Sequence, residues 1–336
     1  MNQHESSPVI VGIETSCDET AVGVLEGPKR VLSNVVVSQI LEHARYGGVV
    51  PEIASRQHAK LIDEVFQKAI ADAGIGLEDI SAVAVTEGPG LVGALLVGIS
   101  FAKALAYAIN KPIIAVNHLM AHIYVNFLFF EELSPPFLVL LVSGGHTELL
   151  EFRSYGDIVL LGRTRDDAAG EAFDKVARLL NLGYPGGPAI EKAAESGEAV
   201  YRFPRALLDE DTFDFSFSGL KTSVLYFLKE HPEAKIEDVA ASFQEAVVDT
   251  LISKLEHAIR KRGSKKVVLA GGVAANKLLR KRVEQLSNKY GFQSFFPPVS
   301  LCTDNGIMVA RAGFEKYLRK EFSDLSLSAS PSLLLF

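Results

Sequence analysis

Two histidines four residues apart are the first residues in this sequence whose types and spacing indicate chemistry. On a helix, the spacing of His118 and His122 places both imidazoles on one face at a separation suited to metal ligands. Asp304 is a candidate third ligand, although an aspartate at the start of a helix also acts as an N-cap. Two imidazoles and one carboxylate suit Fe(II) or Zn(II), and such an ion acts as a Lewis acid or a template.

Two short polar turns are candidates for binding phosphate. Thr15-Ser16 and Ser143-Gly144-Gly145 each reverse the chain between two predicted strands. Glycine lets the backbone approach an anion closely, so that N–H groups and hydroxyls contact its oxygens. Either turn alone is also explained as a simple chain reversal, and the phosphate hypothesis depends on the occurrence of the pair.

A glycine-rich loop before a predicted helix has the character of an adenosine-binding loop. Residues 270–276 read Ala-Gly-Gly-Val-Ala-Ala-Asn, so a purine or its ribose can lie against the glycines, with Asn276 as a hydrogen-bonding group. The alternative is a tight turn in which Asn276 caps the helix. Asp174 and Gly187 are candidates for contacting the same ligand, or else a surface charge and a helix boundary.

Several other kinds of active site are disfavoured. A zinc peptidase needs a glutamate directly after the first histidine of its helix, and position 119 is leucine. The sequence has no G-x-x-x-x-G-K-[ST] run, which argues against a P-loop ATPase. Cys17 has no evident histidine partner, and we interpret it as a turn or core residue rather than a nucleophile.

The composition indicates a packed globular chain of two domains. The 336 residues are 48% hydrophobic and 22% charged. With a net charge of −7, the chain has no overall attraction to a polyphosphate backbone, so any contact with nucleic acid must be local or shared. Basic clusters at 260–266 and 280–282 are candidates for that contact, or else solvated helix ends.

The cysteine content and the hydropathy predict a cytoplasmic protein with no membrane span. Cys17 and Cys302 are too few for a disulfide framework and lack metal-type spacing, which fits a reducing compartment. The polar first residues do not resemble a secretory signal. The apolar stretch 91–109 contains glycines and Lys103, and we interpret it as a core helix.

The elements that must position these residues follow one pattern twice. Each half opens with a three-stranded meander around a polar turn and continues with βαβ units, which predicts a parallel extension of each sheet. The predicted strands span 9–13, 20–25, 31–37, 82–85, 113–116, 137–142, 147–152, 158–161 and 266–270. The predicted helices span 51–73, 92–109, 170–180, 188–195, 234–262, 276–289 and 304–321.

Two such halves predict a duplicated α/β fold of the actin-like, sugar-kinase-like (ASKHA) class, with an interdomain cleft as the expected site. We expect an N-terminal domain of residues 1–134 plus about 303–325, which holds the histidines. Residues 135–302 then form a C-terminal domain, which holds the candidate adenosine-binding loop. The tail, 326–336, alternates Ser with Leu and is expected to be poorly ordered.

Taken together, nine stretches resemble one family, the TsaD family, also called YgjD or Gcp. The resemblance covers about residues 8–322, with the motifs in the family's order. These stretches are 13–20, 49–56, 88–91, 117–122, 142–146, 170–175, 215–222, 270–276 and 302–306.

The resemblance implies a tRNA-modifying acyltransferase. Such an enzyme moves a threonylcarbamoyl group from L-threonylcarbamoyladenylate to N6 of the adenosine beside the anticodon, in tRNAs that read codons beginning with A, and releases AMP. His118, His122 and Asp304 match the family's metal ligands, usually described as iron, so Fe(II) is expected before Zn(II). The positions that match its adenylate-binding residues are Val142, Ser143, Gly144, Gly145, His146, Asp174, Gly187, Glu191 and Asn276.

Several expectations and alternatives accompany this resemblance. The family works with a paralogous partner, TsaB, and an ATPase, TsaE, and we expect weak tRNA binding by this chain alone. Glu191, Met120 and Ile307 depart from the commoner residues of the family. No residue is assigned as general base. A non-catalytic scaffold of the same fold and an ATP-dependent small-molecule kinase are the alternative functions.

Overall fold

The structure, a computed structural model, describes residues 7–208 and 210–335, which divide into two compact units. The first unit comprises the chain up to Glu131 together with Thr303–Leu335, and the second comprises Glu132–Cys302. Each unit contains one five-stranded mixed sheet. Among the described residues, no helix combines the length and the apolar character that crossing a bilayer requires.

The sheet of the first unit has the strand order β3-β2-β1-β4-β5. The first three strands form an antiparallel meander, and β4 and β5 extend it in parallel. The strands are β1 Val9–Glu14, β2 Glu19–Glu26, β3 Arg30–Ser38, β4 Ile80–Gly88 and β5 Ile113–Asn117. The helices are α1 Ile40–Ala44, α2 Pro51–Ala73, α3 Val92–Ala108 and α4 His118–Tyr124, with α10 Gly306–Leu318 added from the end of the chain. Short 3-10 turns lie at Leu77–Asp79 and Val125–Leu128.

The second unit repeats this arrangement in the strand order β10-β9-β6-β7-β8. Its strands are β6 Phe137–Val142, β7 Thr147–Ser154, β8 Asp157–Arg163, β9 Lys266–Ala270 and β10 Gln293–Phe295. Its helices are α5 Ala169–Leu179, α6 Gly186–Ala194, α7 Ser218–Glu230, α8 Ile236–Arg262 and α9 Lys277–Tyr290. Further 3-10 turns lie at Gly272–Ala275 and Val299–Leu301. The predicted duplication of a meander followed by parallel strands is therefore confirmed.

Two glycines let α10 lie directly on the first sheet. A Cβ atom built on Gly12 of β1 would collide with the backbone of Gly306 and Ala310, and one on Gly23 of β2 would collide with Ile307. Because no side chain separates the helix from the strands, α10 is held in one place along β1. This close approach positions the residues that precede α10, among them Asp304.

Each sheet buries a separate hydrophobic core. In the first unit, strand residues such as Val11 and Val22 pack with Leu95 and Ile99 of α3. In the second unit, Leu140 and Phe173 belong to the core that α8 and α9 complete. The strands β1 and β6 are buried along their whole length, as expected for strands covered by helices, whereas the edge strands β3 and β8 are mostly half-buried or exposed.

The last residues of the chain, for which the sequence predicts poor order, instead lie against the first unit. Ser330 N donates to Glu87 O at 2.8 Å, and Gly90 N donates to Pro331 O at 3.1 Å. Leu327 and Ala329 pack against the first core. The Ser/Leu alternation does not predict this packing, because the backbone partners of the segment come from the end of β4 and the loop after it, more than 200 residues away in sequence.

Candidate metal and adenylate sites

The two histidines are positioned by a helix that starts immediately after a strand. Asn117 ends β5 and caps α4, since its Oδ1 accepts hydrogen bonds from Leu119 N at 2.9 Å and Met120 N at 3.2 Å. His118 and His122 therefore occupy successive turns of α4. Their ring centroids lie 4.8 Å apart with the planes nearly perpendicular, and both side chains are buried.

The late aspartate joins these histidines because a different residue caps the last helix. Asn305, not Asp304, is the N-cap of α10, and its Oδ1 accepts from Met308 N at 2.9 Å. The alternative role of Asp304 as an N-cap is therefore wrong. Its Oδ1 lies 3.1 Å from His122 Nε2 and 3.4 Å from His118 Nε2.

These three side chains form a cluster that could bind a metal ion. One ligand atom from each of His118, His122 and Asp304 lies within 4.8 Å of the others. A buried set of two imidazole nitrogens and one carboxylate oxygen fits a divalent transition metal and leaves further coordination positions open. The geometry does not distinguish Fe(II) from Zn(II).

A buried carboxylate behind the cluster, for which the sequence predicted no role, orients His118. Glu14, at the end of β1, lies 3.0 Å from His118 Nδ1 through Oε2. It also accepts from Thr86 Oγ1 at 2.7 Å and from Ser16 N at 2.5 Å. A carboxylate that accepts the Nδ1 proton leaves Nε2 free for a metal, which is the usual outer-shell arrangement of histidine ligands. The one sequence signal was an acidic residue directly after the predicted strand 9–13.

The charges of the cluster shift its pKa values strongly. Burial disfavours the imidazolium of His118, but the carboxylates of Asp304 and Glu14 outweigh burial and raise its pKa to about 9. Burial likewise opposes ionisation of Asp304, but the two histidines lower its pKa to about 2. In the metal-free protein, His118 and Asp304 therefore form a buried ion pair at neutral pH.

The turn Thr15-Ser16 supports this cluster rather than presenting free hydroxyls to a phosphate. Thr15 Oγ1 donates to Ala94 O at 2.9 Å, and Ser16 Oγ lies 3.2 Å from His118 Nδ1. Both side chains are buried. Cys17 follows them, and burial and the nearby Asp18 carboxylate raise the pKa of its thiol well above the ordinary value, which argues against a nucleophilic thiolate.

The candidate adenylate-binding residues all lie in the second unit, where several loops meet. The turn after β6 reaches the start of α5, since Gly170 N donates to Ser143 O at 3.2 Å. It also adjoins the loop after β9, where Gly271 has a φ of 86° and a Cβ would lie 2.5 Å from Val142 O. The start of α6 lies beside α5, with Gly186 N donating to Asp174 Oδ1 at 2.7 Å.

Glycine backbone is open at three of these positions, two in the turn after β6 and one in the first turn of α6. A Cβ built on Gly144, Gly145 or Gly187 would meet no atom within 4 Å. This space would let a ligand phosphate or ribose approach the backbone closely. His146 closes the same turn, with its N donating to Ser143 Oγ at 3.1 Å.

Asn276 and Glu191 make structural contacts in the same region. Asn276 Oδ1 accepts from Leu279 N at 2.9 Å and caps α9, and its Nδ2 donates to Gln244 Oε1 at 2.8 Å. Glu191 Oε1 accepts from Lys277 N at 2.6 Å. The capping alternative for Asn276 is therefore the one observed, and both side chains hold the loop in place.

Comparison with known proteins identifies the family. The family model described as TsaD, tRNA N6-adenosine threonylcarbamoyltransferase, matches residues 30–311. A protein of that name from Kosmotoga olearia is 56% identical over 324 residues, which cover 96% of this chain and 98% of the relative. One from Thermotoga neapolitana is 53% identical over 329 residues, which cover 96% and 99%.

A solved structure supports the fold assignment. The activator of 2-hydroxyisocaproyl-CoA dehydratase from Clostridium difficile superposes with a TM-score of 0.55 and 16% identity, over 94% of this chain and 98% of the activator. Together with the duplicated strand order, this similarity confirms the actin-like, sugar-kinase-like fold. The family match and the two near-full-length relatives show that the chain belongs to the TsaD family of tRNA N6-adenosine threonylcarbamoyltransferases.

Proposed function

We propose that this chain transfers a threonylcarbamoyl group from L-threonylcarbamoyladenylate to N6 of the adenosine beside the anticodon, and releases AMP. The proposed substrates are tRNAs that read codons beginning with A. Family membership supports transfer to a tRNA adenosine, and the identity of the donor and the position of the base are our extension. The observation that carries the proposal is the convergence of His118, His122 and Asp304 on one buried point.

The residues of the first unit would hold one divalent metal ion, with Fe(II) preferred over Zn(II). His118 and His122 would bind through Nε2 and Asp304 through Oδ1, the atoms that already face one another. Glu14 would keep the Nδ1 proton of His118 in place. When bound, the ion would supply Lewis-acid polarisation and a template for the threonylcarbamoyl end of the donor.

The residues of the second unit would hold the AMP portion of the donor. The open backbone at Gly144, Gly145 and Gly187 offers N–H groups to the phosphate and ribose. Val142, Ser143 and His146 shape that turn. Asp174, Glu191 and Asn276 would act by holding α6 and α9 in position, since their side chains bind backbone or amide groups there.

The proposed reaction depends more on the orientation of its two reactants than on the activation of a nucleophile from the protein. The amino group of adenine is a poor nucleophile because its lone pair is delocalised into the ring, and a carbamoyl–phosphate mixed anhydride compensates with an activated carbonyl. The protein then contributes alignment of the two reactants and stabilisation of the developing charge. A base in a single-stranded loop can be splayed out, so little duplex must be opened.

We further propose that the reaction depends on partners, a TsaB-like paralogue and a TsaE-like ATPase. The support is family membership together with the net charge of −7, which limits the tRNA affinity of the chain alone. A tRNA substrate and the free thiols of Cys17 and Cys302 are both compatible with the cytoplasm as the compartment.

A transfer assay tests this function directly. Purified chain, partners, unmodified tRNA transcript and synthetic threonylcarbamoyladenylate are combined, and the modified nucleoside is quantified after digestion. We expect His118→Ala to lose bound metal and to transfer at background rate. The control is His257→Ala, which alters a partly exposed histidine of α8. This variant should retain both the bound metal and the transfer activity. Wild-type transfer by a metal-free His118→Ala protein would contradict the proposed metal role.

A further inference from the structure

A buried histidine of α2, His58, donates a hydrogen bond to the turn that connects β1 and β2. We propose that His58 is a positioning residue for the candidate metal cluster, because its Nε2–H group holds the Cys17 carbonyl and the turn so held keeps His118 in its orientation. This role rests on the proposed function in one respect, that the cluster binds a metal ion. It extends the determinants of that site to a helix that supplies none of the three candidate ligands.

The contacts of the His58 ring determine which of its nitrogens carries the proton. The side chain is fully buried, and its Nε2 atom lies 2.9 Å from Cys17 O. Because a carbonyl oxygen only accepts hydrogen bonds, Nε2 carries the proton. Nδ1 is then the acceptor, and it faces Thr20 Oγ1 at 2.8 Å and Gln39 Nε2 at 3.3 Å. Burial lowers the pKa of His58, which agrees with a neutral ring that donates to Cys17.

Hydrogen bonds from other elements hold three successive carbonyl groups of the turn, those of residues 16–18. Leu91 N donates to the first at 2.8 Å, and Gln39 N donates to the third at 2.9 Å. The second carbonyl, that of Cys17, accepts from His58. The donors at Leu91 and Gln39 are backbone groups, whereas His58 donates through its side chain. The hold on the middle of the turn therefore depends on which residue occupies position 58.

The same turn contacts the metal-facing histidine. Ser16 Oγ lies 3.2 Å from His118 Nδ1, and Ser16 N donates to Glu14 Oε1 at 2.5 Å. Glu14 in turn lies 3.0 Å from His118 Nδ1 through Oε2. A shift of the peptide between Ser16 and Cys17 therefore disturbs both groups that face this nitrogen. Because the partner of one ring nitrogen orients the other, the shift would turn Nε2 of His118 away from Asp304.

Loss of the His58 imidazole would leave the Cys17 carbonyl without its donor in a buried place. The neighbours Ser16 and Asp18 are both buried. A buried carbonyl that loses its hydrogen bond is unfavourable, so the turn would move to find another donor. Strands β1 and β2 are paired as far as Glu14 and Ala21, so this movement falls on the turn rather than on the sheet.

The test uses Co(II) alone as a probe of the cluster in the full-length, metal-free protein at one fixed pH. Titration measures its affinity, and its visible absorption reports the geometry of its ligands. His58→Leu should weaken Co(II) binding about tenfold and change the absorption of the bound ion. His58→Gln, whose amide N–H replaces the Nε2–H donor, should keep both properties near those of wild type.

Ser33→Ala is the matched control, because it also removes a buried hydrogen bond between α2 and the first sheet. Ser33 Oγ donates to Ala69 O at 2.7 Å, near the other end of the helix. This variant should leave the affinity and the absorption of Co(II) unchanged. An equal loss in Ser33→Ala, an equal loss in His58→Leu and His58→Gln, or wild-type affinity in His58→Leu would overturn the role of His58.

Thr20→Val supplies a second test that keeps the imidazole. It removes the hydroxyl that donates to Nδ1 of His58 and should weaken Co(II) binding about threefold. Unchanged affinity would overturn the proposal even if His58→Leu did not fold. Transfer by wild type with its partners is assayed in parallel. Weakened Co(II) binding by His58→Leu without any transfer by wild type would refute the proposed function and support the role of His58.

Discussion

At the scale of single residues, three titrating side chains determine the protonation of the candidate metal cluster. The Asp304 carboxylate and Glu14 hold a proton on His118, whose pKa rises to about 9, although burial alone would lower it. A metal ion that binds Nε2 must displace this proton. The carboxylates that orient His118 would therefore also make the affinity of this candidate site for a metal ion depend on pH.

We predict that the metal affinity of the metal-free protein rises with pH up to about 9. One proton is released from His118 on binding, so the apparent affinity should rise about tenfold per pH unit below its pKa. Competition with a chelator, read by isothermal titration at several pH values, measures the slope. Glu14→Gln removes one of the two charges that raise this pKa, and its curve should level off at a lower pH. A slope of zero in the wild type would contradict a protonated His118.

The same shifts predict how the metal-free protein responds to pH. The folded pKa of His118 is raised from 6.5, so its stabilisation is complete below about 6.5 and is lost as the pH rises through about 9. The folded pKa of Asp304 is lowered from 3.8 to about 2, so its stabilisation is lost only as the pH falls through that range. The ion pair of His118 and Asp304 therefore stabilises the first unit most between the ordinary pKa values of the two groups, 3.8 and 6.5.

At the scale of elements, the ends of helices decide what the site residues do. The cap at Asn305 leaves Asp304 outside α10, and the cap at Asn117 starts α4 at its first metal-binding candidate, His118. Arg311 of α10 lies 5.5 Å from the ring of Phe127, just after α4. This cation–π contact ties the helix that follows Asp304 to the segment that follows both histidines.

The start of α7 depends on a distant cap. Asp166 accepts hydrogen bonds from Phe217 N, Ser218 N and the hydroxyls of Ser216 and Ser218. Although partial burial opposes ionisation, these donors outweigh it and lower the pKa of Asp166. We predict that Asp166→Ala destabilises the second unit by about 1 to 2 kcal/mol, as measured by urea unfolding.

The pH dependence of the stability of Asp166→Ala serves as the control for this prediction. Because the folded pKa of Asp166 is lowered, its stabilisation is present above the ordinary value of 3.8 and is lost as the pH falls below it. The stability difference between wild type and Asp166→Ala should therefore shrink in acid. A variant as stable as wild type at neutral pH would show that the cap contributes nothing.

At the scale of the whole molecule, one topology occurs twice, and each copy holds a different candidate site. Each unit has its own sheet and its own core. The cluster of His118, His122 and Asp304 belongs to the first unit, whereas the open glycine turns belong to the second. If the proposed function is correct, the metal ion would stabilise the first unit and the AMP portion of the donor would stabilise the second.

This division predicts local rather than uniform stabilisation by ligands. Metal ion at 100 times its Kd should stabilise the first unit by about 2.7 kcal/mol. Hydrogen exchange should then slow in peptides from residues 1–131 and 303–335. A nonhydrolysable adenylate analogue should instead slow exchange within residues 132–302. His118→Ala should abolish the metal effect and retain the analogue effect, and an identical pattern for both ligands would refute the division.

Much of the fold and part of the site could be predicted from the sequence, because they depend on local patterns. Helix α2 spans Pro51–Ala73 as predicted, with proline at its start and Gly74 in the left-handed conformation at its end. Strands β6 and β9 have their predicted bounds. The spacing of His118 and His122 indicated one helix face. Hydrophobic periodicity and turn residues were sufficient in each case.

Only the tertiary structure decided which residues complete the site and what the polar side chains do. The contact between His122 and Asp304 spans 182 residues, that between His118 and Glu14 spans 104, and the cap of α7 spans 52. Neither α7 nor a role for Glu14 was predicted from the sequence. A hydrogen-bond partner brought together by folding leaves no periodic signal in the chain, because its position depends on how the sheets and helices pack.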